Sequence, residues 1–455
     1  MTNQAQNTHS RSASLLRGIL NDFKRRPEDA ARELDLPNED IDDVLAGTKP
    51  LDAGLIEKLC QAWPVNPRDF AIIHDDAPSG VKVMSAAEST ASRRVMKRNG
   101  KDYYEYRDTA CSQVSSFRPE WIKELHIVED NNADNTTVEW NNGHFMHQFT
   151  YFIGPVNFYY LDERGQKQVA VMNTGDSMYI SPFVPHTFAT RANSAGEQGL
   201  ILALTYGNNL LGDAQQELNA VSQPLSMHYC LDASQPHKLR AALMQYHMNN
   251  LCLTLPALAE QSGVHPADIE KLINGQQQEP DYELLTRIAA AMDISLRDLL
   301  GHDHELTKVV VKTDSPTWSK QGQDYHYTYR QLASSPLVPM SKALSININA
   351  ADRTFCGDQQ IGLHQYLYNI GENPVLLRWQ HKGQKHEHVL AGGDSAYLKP
   401  FVLHDYCADD GQLLSLRIQS NMSGDCLLEL SHIGRDYVGR IVAENQPWFN
   451  REGRS

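Results

Sequence analysis

Three side chains in this sequence have the types and spacing to do metal chemistry: His144, Gln148 and His186. The first two lie in Asn141-Asn142-Gly143-His144-Phe145-Met146-His147-Gln148, just ahead of a run of Phe, Thr and Tyr. Such residues favour a strand, so His144 and Gln148 are expected on one side of a sheet and His147 on the other. The third ends the segment Gly175-Asp176-Ser177-Met178-Tyr179-Ile180-Ser181-Pro182-Phe183-Val184-Pro185-His186. Brought in on a neighbouring strand, His186 completes a facial set of two imidazoles and one neutral oxygen donor. Open positions beside such a set suit non-haem Fe(II), which must take substrate and O2 together. The bland alternative makes both histidines structural and Gln148 a core amide.

An internal repeat weighs against that alternative. The segment ending in His186 returns 218 residues on as Gly393-Asp394-Ser395-Ala396-Tyr397-Leu398-Lys399-Pro400-Phe401-Val402-Leu403-His404. Upstream, His147-Gln148 aligns with His364-Gln365, whereas His144 aligns with Ile361. The second copy keeps only Gln365 and His404 and is expected to hold no metal. The arrangement resembles the cupin metal motifs, in which the middle ligand is usually Glu rather than Gln.

The repeat extends to the elements around the site. Residues 27–47 pair with 255–275, each an amphipathic helix, a turn and a second helix stopped by Gly47 or Gly275. Further helices are predicted at Ala53–Ala62 after Asp52 and at Tyr282–Met292 after Asp281, with each Asp at the N-cap. This is a helix-turn-helix pattern, near residues 12–75 and again near 238–301. Alternating runs follow at Val169–Met172, Met178–Ser181, Gly199–Leu204 and Val375–Trp379, as short strands of a sandwich or barrel. The predicted class is α+β: a tandem duplication of a helix-turn-helix-like all-α bundle plus a cupin (double-stranded β-helix) barrel. The boundaries are a bundle at 1–78, the metal-bearing barrel at 79–225, a second bundle at 226–306 and a degenerate barrel at 307–455.

Bulk properties narrow the function. The chain has 455 residues, 41% apolar and 21% charged, as in soluble globular proteins. No apolar run is long enough for a membrane span, and Met1 to Arg11 lacks an apolar signal core. Seven dispersed cysteines without a Cys-x-x-Cys pair suit reduced thiols, and a cytoplasmic location is expected. A net charge of −15 disfavours nucleic acid. The helix that would read DNA, residues 38–45, carries four acidic side chains and no basic one.

On these motifs the chain resembles the hydroxyethylphosphonate dioxygenase and methylphosphonate synthase family of non-haem iron enzymes, over nearly its whole length. The resemblance implies Fe(II) as cofactor, 2-hydroxyethylphosphonate and O2 as substrates, and neither nucleic acid nor membrane as partner. A homo-oligomer is expected. The dioxygenase branch carries a Glu six residues before the final His, where this chain has Ile180. The synthase branch uses a Gln four residues after the first His, where this chain has Gln148. Both markers imply C–C cleavage to methylphosphonate and bicarbonate rather than to hydroxymethylphosphonate and formate. By local match, Arg98 would grip the phosphonate, Tyr106 would hydrogen-bond at the iron pocket and Asn141 would help seat the substrate. Lys24 matches a lysine with which the helical domain closes on the phosphonate, from the same or a neighbouring subunit. Tyr106 and Lys24 are thus the expected catalytic groups. A cupin-sensor DNA-binding regulator and a hydroxypropylphosphonate epoxidase are the remaining alternatives. The duplicated chain and Gln148 count against the epoxidase.

Overall fold

The computed structural model describes residues 3–448 except 208, 209, 211, 302–306, 323, 351–353, 356, 419 and 420. The alternating runs form strands as expected. In the first half they are β1 (Val81–Met84), β2 (Arg94–Arg98), β3 (Lys101–Asp108), β4 (Glu120–Glu124), β5 (Ile127–Val128), β6 (His147–Ile153), β7 (Val156–Leu161), β8 (Lys167–Met172), β9 (Ser177–Ile180), β10 (His186–Arg191) and β11 (Leu200–Tyr206). The second half has β12 (Val309–Lys312), β13 (Thr317–Gln321), β14 (Tyr325–Gln331), β15 (Lys342–Ala350), β16 (His364–Asn369), β17 (Val375–His381), β18 (Gln384–Leu390), β19 (Ser395–Leu398) and β20 (Leu403–Ile418).

In the first barrel a sheet ordered β12-β9-β6-β11-β4-β3-β2 faces a smaller one ordered β5-β10-β7-β8. Their inner faces bury Tyr104, Ile122, Phe152, Phe158, Met178 and Ile180. The second barrel repeats the plan as β1-β19-β16-β20-β15-β14-β13, with β17 and β18 joined through the long β20. The larger sheets also pack against each other: Phe149, Tyr151, Leu202 and Leu204 share one core with Tyr366, Tyr368, Leu414 and Leu416. Residues that alternate along β6 and β16 therefore face either a barrel interior or the seam between barrels.

The two halves exchange edge strands. β1 precedes the first barrel in sequence yet pairs antiparallel with β19 of the second, Val81 opposite Leu398. β12 precedes the second barrel yet pairs with β9 of the first, Val309 opposite Ile180. Each exchanged strand covers an edge that would otherwise offer unpaired backbone groups.

Two helical clusters flank the barrels, one cored by Leu16, Leu20, Ile41, Leu59 and Trp63, the other by Leu258, Ile269, Leu285 and Ile288. The predicted caps are present: Asp52 accepts from the Leu55 amide at 2.8 Å and Asp281 from the Leu284 amide at 3.1 Å. Helices at Asn3–Asp22 and Pro236–Asn250 complete the two clusters, and helices at Asp425–Ile433 and Arg435–Val442 add to those expected. In the acidic helix Asn38–Leu45, Asp40 and Asp43 both pair with Lys49, at 3.3 and 2.7 Å. No helix among the described residues is long and apolar enough to cross a membrane.

Candidate metal centre

Gln148 sits in β6 with its side chain turned into the first barrel, and His186 opens β10 on the facing sheet. His144 departs from expectation. It lies in the loop before β6 rather than on the strand. The reason is Gly143, whose φ of +73° turns the chain against Phe183; a Cβ there would stand 2.5 Å from the Phe183 carbonyl carbon. The Phe183 amide then donates to the His144 carbonyl at 2.8 Å, which fixes the loop over β6. His147 faces the seam, as predicted, where its Nδ1 meets the Tyr179 hydroxyl at 2.6 Å. His364 makes the matching contact with Tyr397 at 2.8 Å, so the repeated histidine serves packing.

Hydrogen bonding sets the donor properties of the three groups. The Nδ1 atoms of His144 and His186 each lie 2.8 Å from a backbone carbonyl, of Met146 and Val184, so each must donate there. A neutral ring then carries its lone pair on Nε2. Burial pushes the His186 imidazole down to about 3, which keeps it uncharged. Gln148 donates its Nε2 to the Thr150 hydroxyl at 2.9 Å, so its Oε1 turns the other way. That oxygen stands 2.8 Å from His144 Nε2. With neutral imidazole, two lone pairs face each other at hydrogen-bond distance. The rings of His144 and His186 lie 5.2 Å apart at 85°. A cation shared by Nε2, Oε1 and Nε2 would resolve that confrontation, so the donor set fits a divalent metal.

A cavity of about 140 Å³ opens beside these donors, lined by Arg98, Tyr104, Tyr106, Asn141, Thr205 and the three candidate ligands. Arg98 and Tyr106 reach it from the β2–β3 hairpin, whose Asn99-Gly100 turn has φ of +49° and +80°. The Arg98 guanidinium bonds the Glu139 carbonyl and the Thr187 hydroxyl, and lies 4.7 Å from the Tyr104 ring. Burial pushes the Tyr106 hydroxyl up to about 12, leaving a neutral phenol that can donate. Asn141 spans the centre: its Oδ1 accepts from the Gly143 and His186 amides, both at 2.9 Å, and its Nδ2 lies 3.1 Å from His186 Nε2. Asn141 therefore does turn chemistry and faces the site at once.

Lys24 is not brought to this cavity. It is exposed, donates to the Asp22 carbonyl at 2.6 Å and lies over the Trp448 ring at 5.8 Å. Three groups were missed in the sequence. Tyr104 could have been found by stepping two residues back from Tyr106 along the strand. Thr205 could not, because it enters as the cross-strand partner of Gln148. Thr150, which orients the amide, sits two residues after Gln148 on the same face.

The second barrel shows what replaces a centre. Its Phe401 amide donates to the Ile361 carbonyl at 2.7 Å, the contact His144 makes in the first, so Ile361 stands where His144 does. Arg417 is the cross-strand partner of Gln365 and so takes the place of Thr205. Its guanidinium donates to Gln359, whose backbone pairs with His404 as that of Asn141 pairs with His186. A fixed positive charge and a missing imidazole both oppose a cation there.

A double-barrelled fold in which one barrel gathers imidazoles and an amide oxygen beside a polar cavity is the plan of a cupin-type metalloenzyme. No family model matches the chain. A methylphosphonate synthase from Nitrosopumilus maritimus is 45% identical over 444 residues, 97% of this chain and 96% of its own. A solved structure of Streptomyces albus HEPD with 2-hydroxyethylphosphonate and Fe(II) bound superposes with TM-score 0.89 at 37% identity, over 97% of this chain and 99% of that one. A 2-hydroxyethylphosphonate dioxygenase from Streptomyces viridochromogenes is 24% identical over 82% of this chain and 85% of its own. The chain belongs to the hydroxyethylphosphonate dioxygenase and methylphosphonate synthase family.

Proposed function

We propose that this chain is an Fe(II)-dependent oxygenase that cleaves the C–C bond of 2-hydroxyethylphosphonate with O2, giving methylphosphonate and bicarbonate. The observation that carries the choice of product is the neutral oxygen donor. Gln148 offers an amide, and the residue directly across from it, where the dioxygenase branch is expected to hold its carboxylate, is Ile180. Iron bound by His144, Gln148 and His186 would supply O2 activation and two positions for the substrate. The substrate gives all four electrons needed to reduce O2, so no 2-oxoglutarate is required. Anaerobic loading with Fe(II), followed by one equivalent of O2 and phosphorus NMR, tests the reading. Methylphosphonate is expected, and hydroxymethylphosphonate as the main product would overturn it.

The remaining residues bind and orient. Arg98 presents a planar fork that matches two phosphonate oxygens, as a point charge cannot. Arg98→Lys is expected to raise KM for 2-hydroxyethylphosphonate by about 10- to 100-fold, the equivalent of one charge-assisted hydrogen bond, with a smaller effect on kcat. Tyr106 donates its neutral hydroxyl into the cavity, and Asn141 holds the His186 ring and the loop before His144. Lys24 does not line its own chain's cavity, so its part falls to a neighbouring copy in a homo-oligomer. Iron titration should saturate at one per chain. His404→Ala should leave that stoichiometry unchanged and His186→Ala should abolish it, as measured by metal analysis after gel filtration.

The architecture is read in the same way. The helical clusters and barrels are taken as a tandem duplication with divisions near 78, 225 and 306, the first bundle acting as a lid rather than a DNA reader. Reduced cysteines favour a cytoplasmic enzyme.

A further inference from the structure

Glu124 has no place in the scheme above, yet it is among the most anomalous side chains in the molecule. It is fully buried and neither carboxylate oxygen has a hydrogen-bond partner among the described residues. An orphaned buried carboxyl of this kind costs several kcal/mol, on the order expected for an unpaired charge, unless it is neutral or has a partner part of the time. It lies on the same face of β4 as Glu120 and Ile122, which line the cavity, one step deeper into the barrel. Its cross-strand neighbour is Tyr104, whose ring carries the Arg98 guanidinium.

The second barrel supplies an internal control. The Tyr104 hydroxyl accepts from the amide two residues after His186 at 3.1 Å, and the Tyr327 hydroxyl accepts from the amide two residues after His404 at 3.2 Å. Tyr104 and Tyr327 are therefore equivalent. The residue opposite Tyr104 is Glu124, and the residue opposite Tyr327 is Ile348. An isoleucine fills the place without difficulty, so the fold does not require a carboxyl there. The acid stands in the barrel where the ring of that tyrosine carries the Arg98 guanidinium.

We infer that Glu124 is a positioning residue for phosphonate recognition, the buried counter-group of Arg98, which takes up a proton when the substrate's phosphonate occupies Arg98. The inference rests on the proposed substrate and on Arg98 as its anchor. The groups that face Glu124 are few. Arg98 on β2 is the cation that favours its ionised form, and burial opposes that form more strongly. Tyr103, Tyr104 and Tyr106 on β3 feel its charge but are themselves held neutral by burial. From β10 come the hydroxyls of Thr187, on Tyr104, and Thr190, on the Glu124 carbonyl. What support the ionised form has thus comes from Arg98. A phosphonate dianion that neutralises Arg98 removes this support and adds repulsion, so the fraction of Glu124 still ionised protonates from solvent. Affinity for the phosphonate should consequently fall as pH rises, beyond what the phosphonate's own ionisation dictates.

Calorimetry of 2-hydroxyethylphosphonate binding to the anaerobic Fe(II) protein, in buffers of differing ionisation enthalpy, counts the protons exchanged. The wild type should take up more protons than Glu124→Gln, whose amide fixes the proton-bound shape. In turnover, Glu124→Gln should lower KM several-fold at pH 8.5, match the wild type at pH 6.5 and leave kcat within about twofold. Should that variant fold poorly, Glu124→Ile copies the residue that the second barrel already tolerates. Equal proton counts and parallel KM profiles in wild type and variant overturn this inference while leaving the substrate assignment standing. Absence of any phosphonate binding overturns both.

Discussion

Gln148→Ala leaves a folded protein that no longer keeps its iron. Metal affinity is expected to fall by more than about 100-fold, since even residues outside the ligand set can cost 10- to 100-fold. Turnover with 2-hydroxyethylphosphonate should drop at least in proportion. The metal-free fold should change little. Gln148 is buried, but among the described residues its only other side-chain partner is the Thr150 hydroxyl, and one such bond contributes about 1 kcal/mol. Thermal unfolding of the metal-free variant should therefore shift by only a few degrees, while iron analysis after gel filtration shows an empty protein. A variant that retains stoichiometric iron and turns over normally would remove Gln148 from the ligand set.

The second large effect concerns the product. Ile180 is fully buried in β9 and directly opposite Gln148 in β6, so both side chains leave the sheet on the same side. Directly opposed residues have Cβ atoms about 4.5–5.5 Å apart, so a carboxylate at 180 can reach the point that the Gln148 oxygen now occupies. In the Gln148→Ala background, Ile180→Glu should restore iron binding through an anionic donor. The centre then carries one more negative charge, and phosphorus NMR should show hydroxymethylphosphonate with formate overtaking methylphosphonate. Restored turnover that still gives methylphosphonate alone would mean that donor charge does not select the product.

Much of the site was legible because its parts are local. The glycine turn before His144, the Pro-x-x-Pro-His ending at His186 and the loss of one imidazole in the repeat can all be read along the chain. Helix caps at Asp52 and Asp281 were legible for the same reason: the capped amide lies three residues away. His144 itself was misplaced onto a strand, because a run of aromatic residues says nothing about where a glycine first admits the turn. Thr205 and Arg417 were invisible, since they meet Gln148 and Gln365 only through strand pairing. Glu124 was hidden differently. In Trp121-Ile122-Lys123-Glu124-Leu125 it reads as half of a surface charge pair, and only the strand's alternation buries it while leaving Lys123 on the other face. Lys24 was recognisable as a residue type but not as a position, because the turn after helix Asn3–Asp22 leaves it on the Asp22 carbonyl and over the Trp448 ring.

The crossing-over of β1 and β12 bears on why this chain would keep a second barrel in which Ile361 stands where the first has His144. Val309 of the second half lies against Ile180, the wall behind Gln148. Cut between residues 212 and 235, the amino-terminal piece would lose that outer strand and leave β9 bare, as the other piece would leave β19. Neither fragment could stand as a finished unit, and the exposed borders would invite clumping. With such an interlock the second barrel can lack the counterpart of His144 and still be needed by the first.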